Sequence, residues 1–444
     1  MKTISIPTAV QELLRRLEAN GYAAYAVGGC VRDSLLGLTP NDWDICTAAT
    51  PEETAATFAH TVLTGAKYGT VTVLRQNIPY EVTTFRTEDG YRDHRHPERI
   101  DFVRELSDDL SRRDFTINAM AADASGLVHD PMGGTDDLKK GRIRCVGQAE
   151  ARFSEDALRI LRALRFAARF GFTVEAETAQ AIHRLAPTLS HVAPERLKKE
   201  PTGLLCGKNA AKLCGEFADV LCFLIPELSP CVGFRQYNPH HRYDVWTHTL
   251  HAVAAEKSGR AELRIALLLH DVGKPCVFSM DKNAVGHFCE HAVVSATMAE
   301  QILRRLRFDN AAIRRICTLI SLHDRPLETL SDRSLRRLLY SHGAAAVRDL
   351  IDLHCADRLG TGTRSEEAVL QMREELLARI EPMQAQEPLQ LGGRQLLAMG
   401  VPEGPEIGRI LAAAREAVID GNVKNDPLAL MQFAQQWTER RKTD

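Results

Sequence analysis

Period-two apolar alternation, the mark of β-strands, is confined to the first 140 or so residues of this 444-residue chain. Beyond about residue 141 the apolar side chains recur at helical spacing almost throughout. This segregation predicts a small sheet-bearing unit followed by helices, an α+β arrangement. Residues 7–20 read as an amphipathic helix carrying Val10, Leu13, Leu14 and Leu17, stopped by Gly21. Residues 22–27 form a short apolar strand broken by Gly28-Gly29, and a helix follows over 31–36. Residues 42–45 read as another strand, and 70–74 with 80–85 as a hairpin. In the second part, ALRILRALRFAARFGF sets Leu158, Leu161, Leu164, Phe166 and Ala168 among arginines and ends at Gly171. Further helices are expected over 244–257, 261–270, 291–306, 310–323, 331–340, 344–360 and 365–380. The stretches 224–240 and 382–392 read as linkers.

Charge bears on what such a chain can bind. The net charge is −2, which excludes a uniformly basic coat for nucleic acid. The distribution is divided: residues 1–140 sum to −6 and residues 141–200 to +4. Solvated helix faces account for any one charge run, but the local split directs attention to a phosphate-rich partner near 141–200. Eleven cysteines with no C-x-x-C pair suggest neither a zinc ribbon nor a thiol redox site. The N-terminal residues lack a signal-peptide core, and no apolar run approaches the ~20 residues of a membrane span. A cytoplasmic protein without a membrane partner is expected.

Two features near the N-terminus carry chemistry. YAVGGCVRDSLLG sets a double glycine between strand and helix, where backbone can approach an oxyanion and the helix start adds positive potential. Arg32 falls in the first helical turn, within reach of a phosphate. An ordinary strand-to-helix turn would look the same. Asp42 and Asp44 flank Trp43, however, and i, i+2 residues of a strand share a face. Two carboxylates on one face repel unless a cation lies between them, and hard oxygen donors suit Mg²⁺. Two such ions can activate a hydroxyl and stabilise a leaving phosphate.

YAVGGCVRDSLLG followed by NDWDICTAATPEE resembles the tRNA nucleotidyltransferase and bacterial poly(A) polymerase family, in the class that includes the CCA-adding enzymes. The resemblance implies a polymerase β-like nucleotidyltransferase head and all-α neck, body and tail domains. It implies Mg²⁺ on Asp42 and Asp44, and a triphosphate on Gly28, Gly29 and Arg32. Glu81, on a neighbouring predicted strand, is either a third carboxylate or a solvated strand residue. FRTEDGYRDHRHPERIDF resembles the family's flexible loop and would act as a lid. RRDFTINAM resembles its ribose-contacting motif: Arg113 and Asp114 would select the 2′-hydroxyl and Asn118 would support the pocket. A salt-bridged helix start is the plain alternative.

SEDALRILR resembles the family's E-D-x-x-R base-reading motif. Asp156 and Arg159, three apart, would share a helix face. A carboxylate can accept from the exocyclic amine of C or A while guanidinium donates to ring acceptors, which would admit CTP and ATP. Glu155 would orient the pair, and Arg162 completes the expected nucleotide-binding set. A surface i, i+3 salt bridge is the alternative. PERLKKE resembles the last motif, at Glu195, Arg196 and Glu200, with a supporting role.

LLLHDVGK places His270-Asp271 at the end of an apolar helix, with His248 before and Asp357 after. This order resembles the HD superfamily of metal-dependent phosphohydrolases. Imidazoles and carboxylates converging from separate helices suit a divalent transition metal or Mg²⁺. His291 and His323 either enlarge that set or are helix-face histidines. The segment GVPEGPEIGRIL resembles the tail of HD-containing CCA-adding enzymes.

The resulting expectation has a catalytic head at 1–140, a helical neck and body at 141–235, an HD domain at 236–362 and a tRNA-binding tail at 363–444. The activity expected is template-independent CCA addition to tRNA from CTP and ATP, with hydrolysis at the HD site as a second activity. The rivals are an A-adding enzyme, a poly(A) polymerase, an HD phosphohydrolase and a non-catalytic tRNA-binding module. The long loop at 86–102 argues against a CC-only enzyme, and the HD residues against a poly(A) polymerase. Oligomeric state is not legible.

Overall fold

The structure is a computed structural model that describes residues 2–91, 97–383 and 389–440. It divides into two compact units, Met1–Ser229 with Ile302–Phe308, and Pro230–Gln301 with Asp309–Asp444. No described helix is long and apolar enough to cross a membrane.

The first unit contains a mixed seven-stranded sheet. Its strands are β1 (Ala24–Val27), β2 (Ile45–Thr47), β3 (Thr61–Val62), β4 (Thr70–Arg75) and β5 (Ile78–Thr84), with β8 (Ala121–Ala122) and β9 (Val128–His129). Their order is β3-β4-β5-β2-β1-β8-β9. The expected hairpin is β4–β5, closed by Gln76 and Asn77 at φ 52° and 63°. Two left-handed residues give the turn whose twist matches paired strands. The expected strand over 42–45 begins only at Ile45. β2 pairs with β1 through Ile45–Thr47, and Gly28 then turns β1 away, so little ladder remains for residues 42–44.

The helix Thr8–Ala19 buries Val10, Leu13, Leu14 and Leu17, the residues its spacing marks. Each such side chain contributes roughly 1.5–3 kcal/mol before entropy. The flanks of the expected lid form an antiparallel ribbon, β6 (Arg86–Tyr91) with β7 (Pro97–Phe102), rather than a loop. Residues 92–96 lie outside the described residues. The arginine-rich helix is Leu158–Phe170, buried along Ile160, Leu161, Leu164 and Ala167 and ended by Gly171 at φ 75°.

The second unit is helical apart from a two-stranded ribbon. Its helices include Val245–Ala255, Ala261–Leu269, Asn310–Leu322 and Glu366–Ile380. The two expected helices 331–340 and 344–360 run on as Asp332–Gly360, kinked where Gly343 takes φ 81°. Leu391, Leu396, Ile410, Ala414 and Leu430 form a separate apolar cluster of the C-terminal helices.

Candidate nucleotide-transfer and metal sites

The glycine turn rests on a backbone conformation that favours glycine. Gly28 follows β1 at φ 81° and donates to the Met120 carbonyl at 3.0 Å. A Cβ there would lie 3.2 Å from an Arg113 guanidinium nitrogen, so the space beneath the turn belongs to Arg113. Asp44 sits beside this turn, its carbonyl accepting from Val27 N–H at 2.9 Å. The parallel register Ile45↔Val82 places Glu81 next to Asp44 on the adjoining strand. Asp44 is open to solvent on one side, yet its carboxyl is pushed up to about 6. Desolvation is the larger cause, followed by the charges of Asp42 and Glu81, with Arg113 opposing. Asp44 thus feels the charges of both Asp42 and Glu81, and an all-oxygen set of this kind fits a hard divalent cation.

Arg32 lies in the short helix Gly29–Leu35 that follows the glycines. It is buried, bonding Asp33 Oδ1 and donating at 2.5 Å to Asn118 Oδ1. Its guanidinium carbon lies 5.1 Å and 4.9 Å from the Phe166 and Phe170 ring centres. Asn118 in turn donates to Asp114 Oδ1 at 3.0 Å. Asp114 Oδ2 receives both Arg162 Nε and a terminal nitrogen, at 2.9 Å and 2.6 Å. Burial alone would raise the Asp114 carboxyl; Arg162 and Asn118 outweigh it and bring it down to about 2. Arg113 donates to Asp109, whose carboxyl is held low by Arg113 and Arg112 against burial. Asn118 and Asp114 therefore join Arg32, in the helix after the glycine turn, to Arg162 on the Leu158–Phe170 helix in one network.

Asp156 and Arg159 do not occupy one helix face. Asp156 stands at the break after helix Ala149–Glu155, at φ −140° and ψ 103°. Its Oδ1 accepts from Leu158 N–H at 3.1 Å and its Oδ2 pairs with Arg196 at 2.7 Å. Arg159 pairs with Glu155 at 2.5 Å. Each base-reading candidate is thus fixed by a different partner. The break arises because an Asp side chain satisfies a helix-start N–H better than it continues a helix.

The basic segment is also less free than its charge suggests. Arg142 and Arg144 both pair with the buried Asp137, Arg165 with Glu200 and Arg169 with Asp33. The excess of +4 is largely offset by carboxylates of this unit, so these arginines are not a ready-made phosphate surface.

In the second unit, six sequence candidates meet in one buried cluster. His248 Nε2 lies 3.1 Å from His270 Nε2 and 2.9 Å from Asp357 Oδ1. Asp271 Oδ2 lies 3.3 Å from both imidazoles. On its other side, Asp271 Oδ1 lies 3.4 Å from His291 Nε2 and 3.6 Å from His323 Nε2. His291 and His323 are therefore members of the set rather than surface histidines. Asp357 arrives because Gly360 lets its helix come close: a Cβ there would lie 3.0 Å from Ala252 and from the His248 carbonyl. Asp244 caps the His248 helix by accepting from Thr247 N–H at 3.1 Å.

Both oxygens of Asp271 are buried; Oδ2 meets the Lys274 ammonium at 2.7 Å, and Oδ1 has the two imidazoles of His291 and His323 beside it. A buried carboxylate is a cost unless cations take its lone pairs. Burial alone would lower His270, but Asp271 and Asp357 outweigh it and raise it to about 10. The carboxylates that draw this proton would equally draw a metal ion. Sequence reasoning missed Lys274, whose Nζ contacts Asp271 Oδ2 at 2.7 Å and Gln236 Oε1 at 2.9 Å. Its spacing of three from Asp271 was the available signal. It also missed His241, which burial, and then Lys274, push down to about 3. Its ring meets the His248 ring edge-on at 5.4 Å.

Comparison with known proteins places these sites in context. A family profile described as the poly A polymerase head domain matches residues 24–144. One described as "Probable RNA and SrmB-binding site of polymerase A" matches 171–228, and one for tRNA nucleotidyltransferase domain 2 matches 278–434. The CCA-adding enzyme of Leuconostoc mesenteroides is 33% identical over 98% of this chain and 99% of its own. That of Lactobacillus gasseri is 35% identical over 98% and 99%. That of Geobacillus thermodenitrificans is 50% identical over 45% of this chain and 50% of its own. Among solved structures, the Bacillus stearothermophilus CCA-adding enzyme in complex with CTP matches with TM-score 0.72 and 31% identity, covering 98% of each chain. The Thermotoga maritima enzyme complexed with tRNA shares the fold at TM-score 0.59 and 21% identity.

Proposed function

This chain belongs to the CCA-adding enzyme family, and on that premise we propose how its residues divide the work. It is a tRNA nucleotidyltransferase that adds C, C and A to the 3′ end of tRNA from CTP and ATP, without a nucleic-acid template. The observation that supports the division of roles is the position of Asp44: opposite Val27, beside the Gly28 turn, in the field of Asp42 and Glu81.

Family membership implies a divalent metal. Asp42, Asp44 and Glu81 are the residues that would hold it, and their oxygens favour Mg²⁺. When bound, such ions lower the pKa of an attacking hydroxyl and offset phosphate charge. The chain's own groups do the rest. The Gly28-Gly29 turn offers its backbone to the triphosphate, with Arg113 and Arg32 packed close against its Cα atoms. Arg32, held by Phe166, Phe170 and Asp33, fixes Asn118 from beneath. Arg162 keeps Asp114 ionised, so Asp114 holds Asn118 and the Arg113–Asp114 segment in place for the ribose. Asp156 and Arg159, pinned by Arg196 and Glu155, present the acceptor and donor that suit C and A. The tRNA 3′-hydroxyl then attacks the α-phosphorus, and the bond to pyrophosphate breaks. The eleven free cysteines agree with a reducing compartment, and the cytoplasm is where we place the enzyme.

The test is incorporation of CTP and ATP into tRNA lacking CCA, with Mg²⁺. No incorporation overturns the reading. CTP alone with tRNA lacking all three nucleotides separates CCA addition from A addition. A second reading, of metal-dependent phosphate-ester hydrolysis at the histidine cluster, is favoured by the buried Asp271 carboxylate set between two pairs of imidazoles. Hydrolysis of a 2′,3′-cyclic nucleotide that survives Asp42→Ala but not His270→Ala tests it.

A further inference from the structure

We propose that one face of β3, β4 and β5 is the platform on which the last nucleotide of the tRNA acceptor end rests. Val62, Leu74 and Pro79 lie under its base, and Thr72 lies beside its ribose. The proposal rests on the nucleotidyl-transfer reading and names where the second substrate of that reaction sits.

Register puts these residues together. Directly paired residues of an antiparallel ladder share a face, and so do residues two apart in one strand. Val62 pairs with Thr72 across β3 and β4. Across β4 and β5, Thr72 pairs with Glu81 and Leu74 with Pro79. Val62, Thr72, Leu74, Pro79 and Glu81 therefore stand on one side of the sheet, with Thr72 directly opposite Glu81. Asp44, whose carboxyl feels the Glu81 charge, borders the same side. The other side is the core: Val71, Val73 and Val82 are buried there. Arg75 turns to that side by alternation and pairs with Glu12 of the helix Thr8–Ala19.

The platform is apolar and open. Val62 is 43% and Leu74 38% exposed, and Pro79 is exposed as well. Scattered surface apolar residues are ordinary, but three on one face running up to catalytic carboxylates form a patch with a direction. None of the five residues is cationic, so this is not a phosphate groove. It suits the flat, weakly hydrated face of a base.

The geometry of displacement says which base. An attacking hydroxyl reaches the α-phosphorus in line with the departing pyrophosphate, from the opposite side. The triphosphate residues lie toward one edge of the sheet: Gly28 closes β1 and bonds Met120, just before β8. Asp44 stands just before β2, and Glu81 is on β5. The strand order β3-β4-β5-β2-β1-β8-β9 thus sets these carboxylates between the glycine turn and the apolar face. A triphosphate on the turn directs the hydroxyl to the β5 side. The sugar and base that carry this hydroxyl then overlie β4 and β3.

The chemistry of the face agrees with this occupant. The acceptor base changes as the reaction proceeds, from the nucleotide before CCA to C and again to C. A platform for it has to tolerate more than one base. Apolar contact with a base's face does so, whereas hydrogen bonds to its edge would discriminate. The Thr72 hydroxyl can bond a ribose hydroxyl, which every acceptor nucleotide carries.

The experiment uses the full chain with Mg²⁺ and tRNAs ending before CCA, after the first C and after the second. Val62→Ser combined with Leu74→Ser should lower the single-turnover rate of all three additions by about tenfold or more, through lost positioning of the hydroxyl. The KM for CTP and ATP and the melting temperature should stay unchanged. Leu74→Glu should lower the rates further. Ile78→Ser, at the exposed end of the hairpin and on the opposite side by alternation, should change nothing. On irradiation, a tRNA that lacks CCA and carries 4-thiouridine as its last base should crosslink to residues 61–84. No incorporation by the wild-type chain overturns the transfer reading itself. With wild-type incorporation intact, three results overturn the platform alone: all variants at wild-type rates, a loss confined to the KM for CTP and ATP, or crosslinks only outside residues 61–84.

Discussion

Arg162 grips Asp114 with two nitrogens on one carboxylate oxygen, at 2.9 Å and 2.6 Å. The pair joins the ribose motif to the Leu158–Phe170 helix, and Asp114 is buried. Arg162→Ala would leave a buried carboxylate without its counter-charge, which typically costs about 3–5 kcal/mol. Urea unfolding followed by tryptophan fluorescence measures this. Arg162→Lys should lose less stability, since it keeps the charge but not the fork.

The same pair sets an acid limit. The Asp114 carboxyl is held at about 2 in the fold against 3.8 in the open chain. A depressed carboxylate stabilises above its unfolded pKa and loses that contribution as pH falls through its folded pKa. The stability gap between wild type and Arg162→Ala should therefore be full at pH 7 and shrink between about pH 4 and 2, by roughly 2–3 kcal/mol. A gap that is flat across that range would contradict the assignment.

Asp44 behaves in the opposite sense. Its folded pKa of about 6 exceeds the ordinary value of 3.8. Its ionisation opposes folding fully above about pH 6, and this opposition vanishes below the unfolded value. In metal-free protein, Asp44→Asn should raise the melting temperature at pH 7.5, with the difference fading as pH falls toward 4. The same variant should lose nucleotide incorporation by about 10³-fold or more. A large activity loss without the rise in melting temperature would mean that the carboxylates do not repel.

Arg196 pairs with Asp156 Oδ2 at 2.7 Å and has no expected contact with the triphosphate. Arg196→Ala should loosen base reading. The ratio of kcat/KM for CTP over UTP should fall about tenfold or more, a loss of ~1.4 kcal/mol of discrimination. Incorporation assays with each single nucleotide decide it. Equal losses for CTP and UTP would make the contact merely structural.

Gly28 is the position least tolerant of a side chain. Gly28→Ala would force a left-handed φ and set a methyl 3.2 Å from Arg113. The strain alone is of order 1–2 kcal/mol. Thermal unfolding should show that cost, and nucleotide binding should weaken further because Arg113 must move.

The sequence by itself determined the local elements and the chemistry they carry. Helical spacing in residues 8–19 and the hairpin at 70–84 follow from side-chain periodicity, which is written in adjacent residues. The glycine turn, Asp42 and Asp44, and the order His248, His270-Asp271, Asp357 were legible because residue type and short spacing bear directly on chemistry. Periodicity could not place Asp42 and Asp44 just ahead of the strand, because strand ends depend on the partner, and β1 turns away at Gly28. It could not bury Arg32, since that burial needs Phe166 and Phe170, more than 130 residues away. The arginines of residues 142–169 read as a basic surface, and only the fold supplied the partners Asp33, Asp114 and Asp137 that absorb their charge. Asp271 shows the division most clearly. Its candidacy as a ligand came from its neighbour His270, but its two oxygens face histidines from separate helices. Which groups gather around that carboxylate is a matter of distances of about 3 Å, set by tertiary packing such as the close approach at Gly360.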